Sequence, residues 1–175
     1  IKHLGMARQT EAGVELRVHP TLVPERSLIA GVNGVSNAVM VNADAVGTTL
    51  FYGPGAGAEP TASSVIADIV DVARLMDSDS DSRVPPLGRS SDQLKAQKIL
   101  DIQDVETGFY IRFSALDQPG VLSSITKIMG DAGISIEAII QREQPAGERY
   151  VNVIILTNVT KEKCLDGAVE HIEQL

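Results

Sequence analysis

Two short stretches of the chain have the residue types and spacing to hold a ligand through the backbone. The first is Asp117-Gln-Pro-Gly-Val-Leu122, where a strand ends in a tight turn and a helix begins directly beyond it. The opening N–H groups of a helix have no partner inside it, and with the helix dipole they can hold a carboxylate. The second is Gly53-Pro-Gly-Ala-Gly-Ala-Glu-Pro-Thr61. Residues without a Cβ let the backbone approach a ligand closely, and they also serve plain tight turns. Gly53, Gly55 and Ala58 meet the G-x-G-x-x-A spacing of a dinucleotide-binding turn. The wider context does not fit that motif, which needs a second parallel strand after the helix and an acidic residue near its end. Here the helix runs into Met76 and a Ser/Asp stretch, so the spacing is no dinucleotide fingerprint.

The elements that must position these turns are legible as periodicities. Phe109, Ile111, Phe113 and Ala115 alternate with residues of the opposite face, the period of a half-buried strand. Val121, Leu122, Ile125, Ile128, Met129 and Ala132 recur at helical spacing, with Gly133 placed as a left-handed cap. Ile134–Ile140 reads as a second strand and Arg149–Leu156 as a third. Leu165, Ala168, Val169, Ile172 and Leu175 form another helical stripe, with Thr160 as its candidate cap. Around the glycine turn, Val14–Val18 alternates as a strand. Asn37–Asn42 and Gly47–Tyr52 read as an antiparallel hairpin turning at Ala43–Val46. A helix capped by Thr61 follows, with Ala62, Val65, Ile66, Ile69, Val70 and Ala73 on its buried side.

Ser78–Ser82 alternates Ser with Asp and leads into Arg83-Val-Pro-Pro, a composition that marks a linker or mobile loop. Gln93–Asp104 then enters the second half as a short helix or an extended arm. The expected organisation is residues 1–76, a linker over 77–107, and a second domain over 108–175.

Composition narrows the function classes. At 175 residues and 43% hydrophobic content the chain can bury a core. Aromatics are only 3% and Trp is absent, which leaves no stacking platform for bases. The net charge of −8 repels phosphate backbones and anionic membranes, so neither nucleic acid nor membrane is an expected partner. Cys164 is the only cysteine, which suits a reducing cytoplasm. No run is apolar enough to span a bilayer, and no signal-peptide pattern opens the sequence. No Cys, His and carboxylate cluster has metal-ligand spacing, so no metal site is expected. His3, His19 and His171 read as ordinary turn or surface residues, and Lys2, Lys95 and Lys98 as surface charge.

Asp117-Gln-Pro-Gly-Val-Leu122, with its flanking strand and the Gly133-Ile-Ser-Ile136 strand, resembles the ACT domain, a βαββαβ regulatory fold that binds amino acids. Four stretches of the first half resemble bacterial homoserine dehydrogenase: Ile1–Ala7, Glu15–Pro24, Gly31–Val39 and Phe51–Val65. The matching part of that family ends its catalytic region, the substrate and dimerisation domain, and an ACT domain follows it. The implied fold is α+β, a fragment of a mixed-sheet domain followed by an ACT domain whose last strand is missing at Leu175.

The resemblance implies interconversion of aspartate 4-semialdehyde and homoserine with NADP or NAD, on the route to threonine, methionine and isoleucine. The catalytic lysine and the nucleotide-binding fold are expected before Ile1, so no catalytic residue lies in this chain. Gly57, with Gly55 beside it, matches the loop that closes on the nicotinamide nucleotide. Threonine is the implied feedback inhibitor. Asp117 would pair with its ammonium, Gly120, Val121 and Leu122 would offer N–H groups to its carboxylate, and Pro119 would fix the turn. Such sites lie between paired domains, which implies a homodimer or higher homo-oligomer. The competing reading is a non-catalytic amino-acid-binding module, with Ile1–Met76 as an oligomerisation scaffold.

Overall fold

The computed structural model describes residues 1–76, 85, 88–142 and 149–175. The start of the expected linker, residues 77–84, 86 and 87 with Ser78–Ser82 among them, lies outside the described residues. Contacts divide the chain into two units, Ile1–Leu4 with Pro20–Ala96, and Gly5–His19 with Gln97–Leu175. The hairpin formed by strands β1 (Lys2–Thr10) and β2 (Gly13–Thr21) has its tip in the second unit, and its strands run on into the first.

In the first unit, β3 (Ser36–Ala43) and β4 (Gly47–Pro54) pair antiparallel from Ser36–Pro54 to Ala43–Gly47. The expected hairpin is therefore present, with both strands longer than read and Ala43 paired with Gly47 as the last residue of β3 and not part of the turn. Helix α1 (Ala58–Met76) follows the glycine turn. It begins earlier than Thr61: the Thr61 N–H donates to Gly57 O (3.2 Å), which puts Thr61 inside the first turn and not at the cap. Pro60 does not block this start, because a proline in the first helical turn gives up an N–H that would have no helical partner. The stripe expected to be buried is not. No residue of α1 is buried within this chain, and Val65, Ile66 and Ile69 are each more than half exposed.

The second unit holds the core. β6 (Tyr110–Leu116), β7 (Ile136–Gln141) and β8 (Tyr150–Thr157) form an antiparallel sheet in the order β6-β8-β7, with α2 (Val121–Asp131) and α3 (Glu162–Ile172) packed on it. Ile125 and Met129 of α2, Leu165, Ala168 and Ile172 of α3, and Val151, Val153 and Ile155 of β8 meet in one cluster. Gly133 (φ +73) follows the C-cap residue Ala132 at the end of α2, and the Ile134 N–H donates to Met129 O, as the sequence anticipates. The order of elements is βαββα, and a last strand beside β6 is missing among the described residues.

A two-residue ladder joins β5 (Glu106–Thr107) to β9 (Thr160–Lys161). Thr160 is thus a strand residue, and Lys161 takes the cap position of α3 without a side-chain hydrogen bond. The segment Gln93–Asp104 proves to be neither a continuous helix nor a plain arm. It is two short 3-10 turns, Ser91–Gln93 and Ile102–Asp104, around a parallel bridge from Ile99 to Val14.

The alternation read in Val14–Val18 is present with an unusual sense. Leu16 and Val18 are exposed, while the opposite set turns inward with Glu15 only 2% exposed. Arg8 Nη2 and Nε donate to Glu15 Oε2 at 2.7 and 3.0 Å. Arg17 Nε approaches Glu15 Oε1 to 2.9 Å, an ion pair by distance whose N–H alignment makes no hydrogen bond. A buried carboxylate is tolerated only with such partners.

Candidate functional site

The turn after β6 is built by backbone geometry. Gln118 N–H donates to Leu116 O (2.9 Å), and Asp117 N–H donates to Arg149 O (3.0 Å), which ties the turn to the start of β8. Gly120 stands at the N-cap of α2 with φ +98, a conformation that favours glycine. Its carbonyl accepts from Ser124 N–H (2.9 Å) and Ser124 Oγ (3.2 Å). Val121 N–H points back to Gln118 O at 3.4 Å, so the N–H groups offered outward belong chiefly to the next residues, Leu122 and Ser123. Asp117 and Pro119 are exposed, and Val121 and Leu122 are half-buried on the core side.

A cavity of about 790 Å³ runs along β6, lined by Arg112 to Leu116, Pro119, Gly120, Val121, Ser124, Ile125, Tyr150, Ile172, Glu173 and Leu175. It gathers Pro119, Gly120 and Val121 of the five candidate effector residues, and neither Asp117 nor Leu122 lines it. Its apolar floor is core: Phe113, Ala115, Ile125 and Ile172. A cavity floored by core and running along β6, the edge strand of this sheet among the described residues, is the space a further strand would fill.

The glycine turn occupies the other unit. Gly55 N–H donates to Val35 O (3.3 Å), and a Cβ on Gly55 would stand 1.9 Å from Asn37 Nδ2. Gly57 (φ +124) precedes α1, and a Cβ there would meet only the ring of Pro60, at 3.4 Å. The absent Cβ at Gly55 thus makes room for Asn37, whereas the backbone at Gly57 is open enough to suit close approach by a flat or phosphorylated ligand, and Glu59 and Thr61 stand in the first helical turn beside it. Sequence reasoning missed Asn37, which wedges against this turn. Its register opposite Gly53 in the hairpin is the signal that marks it. Lys2 Nζ donates to Val32 O and to Asn33 Oδ1 (2.7 Å), a structural tie. No group of three or more His, Cys, Asp or Glu fit to hold a metal occurs among the described residues. No helix among them is long and apolar enough to cross a membrane.

Comparison with known proteins agrees with both halves. The homoserine dehydrogenase family model matches residues 1–70, and the ACT domain model matches residues 109–175. The homoserine dehydrogenase of Pseudomonas aeruginosa is 53% identical over 175 residues, all of this chain and 40% of that protein. That of Neisseria gonorrhoeae is 49% identical over 178 residues, again all of this chain and 40% of that protein. The crystal structure of a homoserine dehydrogenase from Thiobacillus denitrificans superposes with a TM-score of 0.87 at 53% identity, covering 99% of this chain and 39% of that one. The chain therefore spans about 40% of the length of the relatives it matches. Its first 70 residues belong to the homoserine dehydrogenase family, and residues 109–175 are an ACT domain.

Proposed function

We propose that this chain is the end of the catalytic region and the regulatory domain of a homoserine dehydrogenase, and that the regulatory domain binds threonine. The observation that carries the reading is the succession of the two matched regions in one chain, with a TM-score of 0.87 to a protein of that activity. The whole enzyme interconverts aspartate 4-semialdehyde and homoserine, and a bound NADP or NAD supplies the hydride chemistry. Gly57 and Gly55 are the contribution of this chain to holding that nucleotide: Gly57 leaves its backbone open on the Cβ side, and Gly55, packed on Asn37, holds the turn in place beside it. The acid that protonates the alkoxide and the nucleotide-binding fold belong to the remaining part of the enzyme. The 175 residues alone are expected to turn over no homoserine.

Feedback control is the task of the second unit. The exposed Asp117 carboxylate takes the ammonium of threonine, and the N-terminal turn of α2, opened by Gly120, takes its carboxylate. Pro119 holds the turn between them. The exposed apolar face of α1 and the edge of β6 that has no partner among the described residues support assembly as a homodimer or higher homo-oligomer. Titrating the full-length enzyme with threonine while following homoserine oxidation tests the reading. Inhibition that Asp117→Ala removes is the expected result, and insensitivity to threonine overturns the regulatory assignment while leaving the dehydrogenase assignment standing.

A further inference from the structure

The segment Lys98–Thr107 is stitched at both ends. At its start, Val14 N–H donates to Lys98 O (2.8 Å) and Leu100 N–H donates to Val14 O (2.9 Å), so the segment lies against the tip of the β1–β2 hairpin. Gly13 has φ +145, and a Cβ on it would stand 2.5 Å from the Lys98 carbonyl oxygen. Only glycine lets the two backbones come this close. At the other end, Val105 is 1% exposed, and its carbonyl accepts the N–H of Glu162, the first residue of α3, at 3.1 Å. Side chains repeat that link. Gln103 Nε2 donates to Asp166 Oδ2 and Lys163 Nζ to Asp104 Oδ1, each at 2.9 Å.

The strap therefore joins one helix of the ACT domain to a hairpin whose strands continue into the unit that carries the glycine turn. The path back to the effector turn is packed side chains. Ile125 and Met129 of α2 share a core with Leu165 and Ala168 of α3, and α2 is preceded by its N-cap, Gly120. A densely packed core passes a helix displacement on to its neighbour.

We propose that Lys98–Thr107 is the transmission of the sensor, carrying the difference between the effector-bound and effector-free states from α3 to the β1–β2 hairpin. The proposal rests on the threonine-sensor reading above. An effector changes activity only by favouring one of two states, and the coupling it exerts is reciprocal. A strap that transmits must therefore make threonine affinity depend on whether the catalytic site is filled. A strap that merely staples must not.

The test uses the full-length enzyme with threonine as the probe. In the parent, threonine affinity measured by calorimetry changes at least fivefold when homoserine and the nicotinamide nucleotide are added. In Gly13→Ala, whose Cβ pushes the strap off the hairpin, and in the double variant Gln103→Ala/Lys163→Ala, which removes the side-chain links to α3 and leaves only the backbone ties at that end, that dependence falls below twofold. Threonine still binds, inhibition is lost, and uninhibited turnover is retained. Undiminished inhibition and undiminished coupling in both variants overturn the proposal. A parent enzyme that binds no threonine overturns the sensor reading and the strap with it, and this outcome is distinguishable because it precedes any substitution.

Discussion

The side-chain amide of Asn37 fills the space in which a Cβ on Gly55 would stand, 1.9 Å from that position. Asn37 lies opposite Gly53 in the β3–β4 register, so the hairpin itself delivers the amide to the glycine turn. Gly55→Ala must push Asn37 aside, and overpacking of this kind costs about 1–3 kcal/mol. Gly55→Ala/Asn37→Ala should recover more than half of that loss, a coupling that a double-mutant cycle in urea unfolding measures. Additive losses would show that the contact does not constrain the turn.

Glu15 is 2% exposed and lies between Arg8 and Arg17, whose side chains are 58% and 13% exposed. Removing its carboxylate leaves the Arg17 charge buried without a counter-ion, and breaking such a pair costs about 3–5 kcal/mol. Glu15→Ala is expected to lower the stability of the unit containing the ACT domain by that amount, while Arg8→Ala costs about 1 kcal/mol or less because Arg8 remains largely in water. Equal effects of the two substitutions in chemical denaturation would contradict this account.

The pair at the end of the strap gives a pH signature. The hydrogen bond and charge of Lys163 hold the Asp104 carboxyl below its ordinary 3.8, and Asp104 holds the Lys163 ammonium above its ordinary 10.5. The native state thus binds the Asp104 proton less readily than the unfolded chain. The contribution is present above pH 3.8 and lost as pH falls through the native value. At the alkaline end it is present below 10.5 and lost as pH rises through the raised value of Lys163. Both groups are exposed, so high salt weakens the effect. Lys163→Met should move the Asp104 titration followed by carbon NMR upward, and an unmoved midpoint would show the pair does not form in solution.

Burial of the Glu162 carboxyl, with Asp166 close by, pushes its pKa above the ordinary 4.5, against the lowering influence of His19 and Arg17. The native state then binds this proton more tightly than the unfolded chain, so Glu162 subtracts stability as pH rises above 4.5 through the native value. Glu162→Gln should flatten the decline in stability over that window. A decline as steep as in the parent would contradict the assignment.

Local patterns carried much of this fold. The β3–β4 hairpin, the α2 stripe and the Gly133 cap were legible because alternation, helical spacing and a left-handed glycine are each decided by neighbouring residues. What was illegible depends on distant partners. Thr160 resembles a helix cap until Thr107 pairs with it, and no local rule announces that ladder. The polar face of β2 turns inward because Arg8 comes to Glu15 across the hairpin. The α1 stripe reads as core from its period, yet period reports only which face is apolar and not what covers it. For the sites, the turn at Asp117–Leu122 and the glycine run stood out by composition, whereas Asn37 and the strap Lys98–Thr107 emerge only from register and contact.

The central claim is that the turn after β6 recognises threonine. Isothermal titration of the full-length enzyme with threonine, beside the Asp117→Ala variant, tests it most directly. Saturable binding in the parent and at least a tenfold loss of affinity in the variant are the predicted results. Equal binding in both proteins, or heat only with a different amino acid, would contradict it.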